Sequence, residues 1–74
     1  MRMDPREAVV AVLHEAGEPL HWTTVQDRAL RAGYLDPFEV PDVRRHVQAA
    51  LQALAREGAI LRVGKGTFAA AQPD

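Results

Sequence analysis

The apolar residues of this 74-residue chain recur with two periods. Val9, Val12, Leu13 and Ala16 share one face at helical spacing. Asp4 is placed to cap that face, Pro5 suits a first helical turn, and Glu7 completes a capping box. Gly17 fits the left-handed residue that closes a helix, so residues 5–16 are predicted as the first helix. Val25, Ala29 and Ala32 make a narrow second stripe. It predicts a helix over 24–32, capped by Thr23 with Gln26 as its capping-box partner and ended by Gly33. Val43, Val47, Ala50, Leu51 and Leu54 repeat along a third and longest helix, from Pro41 or Asp42 to Glu57, with Gly58 closing it.

The period then changes. Ile60 to Val63 and Thr67 to Ala70 flank a glycine-rich turn, the pattern of an antiparallel hairpin. Pro19 stops the first helix from continuing, and Leu20, His21 and Trp22 read as a short extended segment added at the edge of that hairpin. The order is helix, short strand, helix, helix, hairpin. This predicts a mainly α fold with a small antiparallel β-wing: a winged helix-turn-helix of three helices and a two- to three-stranded sheet. One domain over residues 4–71 is expected, with loose ends at 1–3 and 72–74. Val9, Leu13, Val25, Val47, Leu51, Leu54 and Phe68 are the expected core, and Tyr34, Leu35 or Phe38 is expected to anchor the linker "YLDPFEVP" against it.

The turn itself, "RVGKGTF", resembles half of a phosphate-binding P-loop. The spacing excludes that reading. Gly58 lies six positions before Gly64 rather than five, Gly66 stands where the magnesium-binding hydroxyl belongs, and a strand follows instead of a helix. The glycines are assigned to a turn that needs positive φ, which carries Lys65 to the tip of a wing.

Composition narrows the chemistry. There is no cysteine, hence no disulfide or cysteine-held zinc, and a cytoplasmic setting is expected. Asp4, Arg6 and Glu7 interrupt any signal-peptide core, and no apolar run approaches a membrane span. Eight arginines to one lysine, with no serine or asparagine, match a high-GC bacterial or a heat-adapted coding bias. Catalysis is not expected, because the usual Cys and Ser nucleophiles are absent and Asp36 and Glu39 flank a loop without a cleft. His14, His21 and His46 fall on three different elements and make no metal pattern. Neither a cofactor nor a small-molecule ligand is expected. Trp22, between Leu20 and Val25, is expected at the core or its edge rather than as a base-stacking residue.

The net charge of −1 hides an asymmetry: residues 1–40 carry four arginines against seven acids, and residues 41–74 five cations against three acids. The third helix concentrates the cations. On a helical projection Arg45, Gln52 and Arg56 lie opposite the apolar face, with Gln48 to one side, Ala49 to the other and Arg44 near the entry. Arginine pairs with guanine edges and glutamine with adenine edges, and a small residue lets the backbone approach. A solvated outer face has the same composition. The position before a hairpin favours double-stranded DNA, with Arg44, Arg45, Gln48, Gln52 and Arg56 on its grooves and Arg62 and Lys65 on its backbone.

Three stretches carry a family resemblance: "VLHEAGEPLHWTTV", "RALRAGYL" and "LRVGKGTFAA". In their order and spacing they resemble the HARE-type helix-turn-helix (HARE-HTH) family over residues 4–71. The resemblance implies a winged helix in DNA-linked systems such as chromatin factors, restriction-type enzymes and transcription regulators. It also implies kinship with the N-terminal domain of the bacterial RNA polymerase delta subunit, a protein-contact module. The family's domain is usually an attachment to something larger, whereas here it accounts for nearly all of the chain. Two functions are therefore expected in order: a small DNA-binding regulator, with a homodimer or partner to add affinity, and a module docking on RNA polymerase or a DNA-processing complex.

Overall fold

The computed structural model describes residues 3–71. The elements are α1 (Pro5–Ala16), β1 (Leu20–His21), α2 (Trp22–Arg31), α3 (Val43–Glu57), β2 (Ile60–Gly64) and β3 (Thr67–Ala70). Three helices pack on a three-stranded antiparallel sheet of order β1-β3-β2, a winged-helix-like arrangement. Met3 donates its amide to the Tyr34 carbonyl at 2.7 Å and packs on the core, so the ordered unit begins one residue earlier than expected. The loose ends expected at residues 1–2 and 72–74 lie outside the described residues.

α1 forms as its local signals require. The Asp4 carboxylate accepts the Glu7 amide at 2.9 Å, Glu7 reaches back to the Asp4 amide, and Gly17 closes the helix at φ 66°. The helix buries Ala8, Val9, Val12 and Leu13 against α2, α3 and β3. Arg6 binds Glu57 through two hydrogen bonds of 3.1 and 2.7 Å, joining the start of α1 to the end of α3. That contact lowers the Glu57 pKa.

α2 departs from expectation at both ends. Its cap is His21, whose Nδ1 accepts the Thr23 amide at 3.3 Å, and not Thr23. His21 is still paired with Thr67 in the sheet, so the chain turns from strand to helix with no residue between. Gln26, expected as a capping-box partner, instead has its carboxamide oxygen buried with no hydrogen-bond partner among the described residues. Ala32, expected on the inner stripe, is the exposed C-cap; Val25 and Ala29 are the buried positions.

α3 starts at Val43 because Asp42 takes a left-handed conformation, φ 58° and ψ 50°, without a side-chain cap. Asp is among the few residues that tolerate this region. In the linker Leu35 is the anchor, Tyr34 is half-buried and hydrogen-bonds through its hydroxyl to Glu15, and Phe38 stands in solvent. All seven expected core residues are buried in one cluster, joined by Ala8, Val12, Leu20, Leu35 and Ile60 among others.

Candidate nucleic-acid interface

The wing is seated on the start of α2. Leu20 pairs with Phe68 and His21 with Thr67, and the Trp22 amide donates to the Gly66 carbonyl at 2.9 Å. Gly66 sits at φ 69°, and a Cβ there would lie 3.0 Å from His21 Nε2 and 3.3 Å from Trp22 Cδ1. The positive φ and the close approach of His21 and Trp22 together favour glycine at this position. Gly64 differs: it has no positive φ, and it sits where the β2–β3 register shifts after Arg62. Of the two turn glycines, only Gly66 meets the positive-φ expectation.

This seating opens a groove of about 380 Å³ between α3 and the wing. Phe68 and Trp22 contribute its apolar surface, Gln48 and Gln52 line it from α3, and Lys65 with Gly66 closes it from the wing. Trp22 is half-buried against the core, and the Arg44 guanidinium lies over its ring at 5.6 Å from the centroid. Cation–π contact of this kind holds Arg44 beside the groove. Among the described residues, no carboxylate lines it.

The seven residues expected to meet DNA thus divide. Gln48, Gln52 and Lys65 line one groove, with Arg44 at its margin. Arg45, Arg56 and Arg62 are exposed but lie outside the lining. Arg45 stands 4.0 Å from Asp42 in an exposed i,i+3 pair, and such a pair contributes little. Arg56 occupies the last turn of α3, where a cation suits the helix dipole. Arg62 is in register with Phe68, on the sheet face turned toward the core, yet its side chain is exposed. Sequence reasoning missed His21 and Trp22 as part of this groove. The only signal was the extended "PLHW" segment, which says nothing about what lies across from it.

Among the described residues no group of three or more His, Asp or Glu is placed to hold a metal ion, and no helix is long and apolar enough to cross a membrane. No family model, curated protein or solved structure matches the chain.

Proposed function

We propose that this protein is a small DNA-binding winged-helix domain of the HARE-HTH type, serving a cytoplasmic regulator of transcription or DNA processing. α3 enters the major groove and the wing follows the phosphate backbone. One observation carries the reading: Gln48 and Gln52 from α3 and Lys65 from the wing converge on a groove that no carboxylate among the described residues lines, with Arg44 held beside it. The glutamine amides have the donor–acceptor geometry for base edges, and Lys65 is a mobile point charge for phosphate. Arg45 and Arg56, exposed on the same helix, extend the cationic surface beyond the groove.

Phosphate contacts release counterions, so binding through several of them weakens steeply as salt rises. The test is a titration of duplex DNA at several salt concentrations, followed by the emission of Trp22, the chain's single tryptophan. A dissociation constant weaker than about 10⁻⁴ M at low salt, below ordinary non-specific association, would sink the reading.

A second reading, a module that docks on RNA polymerase or a DNA-processing complex, is favoured by one feature: Phe38, 96% exposed on an acidic loop. Docking of that kind predicts no steep salt dependence.

A further inference from the structure

Arg44, Gln48 and Gln52 are spaced by four residues and form one row along α3. Gln48 and Gln52 line the groove, and Arg44 heads the row in the first turn of the helix. Its guanidinium lies over Trp22 at 5.6 Å from the ring centroid, within the reach of a cation–π contact. Among the described residues Arg45 stands 4.0 Å from Asp42, whereas Arg44 takes part in no ion pair.

Trp22 is itself fixed from several sides. Its amide is bonded to the Gly66 carbonyl, its ring packs on the core, and the His21 ring stands 5.7 Å away between centroids. The wing turn also abuts the indole, since a Cβ at Gly66 would lie 3.3 Å from Trp22 Cδ1. A free arginine side chain explores many rotamers and loses that freedom on binding. An arginine laid on a fixed ring has lost part of it beforehand, so less is lost when a ligand arrives. The contact consumes none of the five N–H donors of the guanidinium, which remain available to a phosphate.

We infer that Trp22 is a positioning residue, which holds Arg44 ready for a backbone phosphate beside the base-reading row of α3. Trp22 acts through Arg44 and not by stacking on a base. This role rests on the DNA reading and divides the labour within it. Gln48 and Gln52 face base edges, while Arg44, held in place by Trp22, fixes the register of α3 on the strand.

The test is the anisotropy of a fluorescein-labelled duplex titrated with wild type, Arg44→Gln, Trp22→Leu and the double variant at several salt concentrations. Arg44→Gln should weaken binding and reduce the salt slope by about one phosphate. Trp22→Leu should weaken binding by about two- to fivefold, the worth of an exposed cation–π contact. The double variant should bind as Arg44→Gln does, because a ring with no guanidinium above it has nothing to position. A merely structural loss at residue 22 would act equally with and without Arg44. Trp22→Phe keeps a ring and should retain part of the effect, and in the Arg44→Gln background it should change nothing; this pair serves if Trp22→Leu does not fold. Wild type binding no duplex better than about 10⁻⁴ M at low salt would sink the DNA reading and the role of Trp22 with it. Wild type binding normally, with the substitutions at residue 22 acting as strongly in the Arg44→Gln background, would overturn the role of Trp22 alone.

Discussion

Trp22 and Gly66 are joined by a 2.9 Å hydrogen bond from the tryptophan amide to the glycine carbonyl, which seats the wing on the first turn of α2. The position of Lys65 relative to Gln48 and Gln52 depends on that seating. A side chain at Gly66 is opposed twice, by φ 69° and by the 3.0 Å approach to His21. Gly66→Ala should therefore destabilise the fold by about 1–3 kcal/mol, the range for a residue held in a sparsely allowed conformation. It should also shift Trp22 emission. At Gly64 the nearest contact to an added Cβ is 3.9 Å, and Gly64→Ala should stay within about 0.5 kcal/mol of wild type. Urea melts of the two variants check this; equal stabilities would show that the wing is not seated through Gly66.

Leu51 lies on the inner face of α3, fully buried in the core cluster. Leu51→Ala leaves a cavity between the helices and should cost about 2–5 kcal/mol. That is a large share of the stability available to so small a domain. A thermal melt that barely moves would show that the core does not depend on Leu51.

The Tyr34 hydroxyl donates to the Glu15 carboxylate, and this hydrogen bond is the main reason its pKa is raised, with desolvation and the Glu15 charge adding to it. A folded pKa above the unfolded value means the contribution is fully present below the unfolded pKa, near 10, and is lost as pH rises through the folded one. Tyr34 is the only tyrosine, so ultraviolet absorbance reports it alone. Its titration midpoint should lie above that of the unfolded chain, and Glu15→Ala should lower it. A wild-type midpoint at the unfolded value contradicts the contact.

If duplex DNA occupies the α3–wing surface, three substitutions separate by kind. Arg45→Glu repels the duplex and should abolish binding at every sequence. Gln48→Ala should cost about 1–3 kcal/mol, and mainly at the preferred base. Lys65→Ala should weaken all sequences alike and reduce the salt slope by about one phosphate. Fluorescence titrations against random and enriched duplexes distinguish these patterns. Gln48→Ala acting equally on all sequences would remove it from base readout.

The chain sequence by itself determined whatever rests on near neighbours. Asp4, Pro5, Glu7 and Gly17 bound α1 through contacts within a turn of helix, and the helical spacing of Val47, Leu51 and Leu54 assigns the inner face of α3. The change of period after Gly58 sufficed for the hairpin, because its strands adjoin in sequence. The start of α2 was decided only by tertiary structure: His21 is held by Thr67 and Trp22 by Gly66, both far along the chain, and these bonds override Thr23 as the local capping choice. The same long-range contacts assemble the groove. They set Gln48, Gln52 and Lys65 beside Trp22 while Arg45, Arg56 and Arg62 remain outside its lining. Helical periodicity ranks residues by distance from the core, but which part of the outer face meets the wing depends on how separate elements pack. Phe38 follows the same rule: Leu35 is buried in the core and Tyr34 packs against it, whereas Phe38, its amide held by the Asp36 side chain, stays exposed.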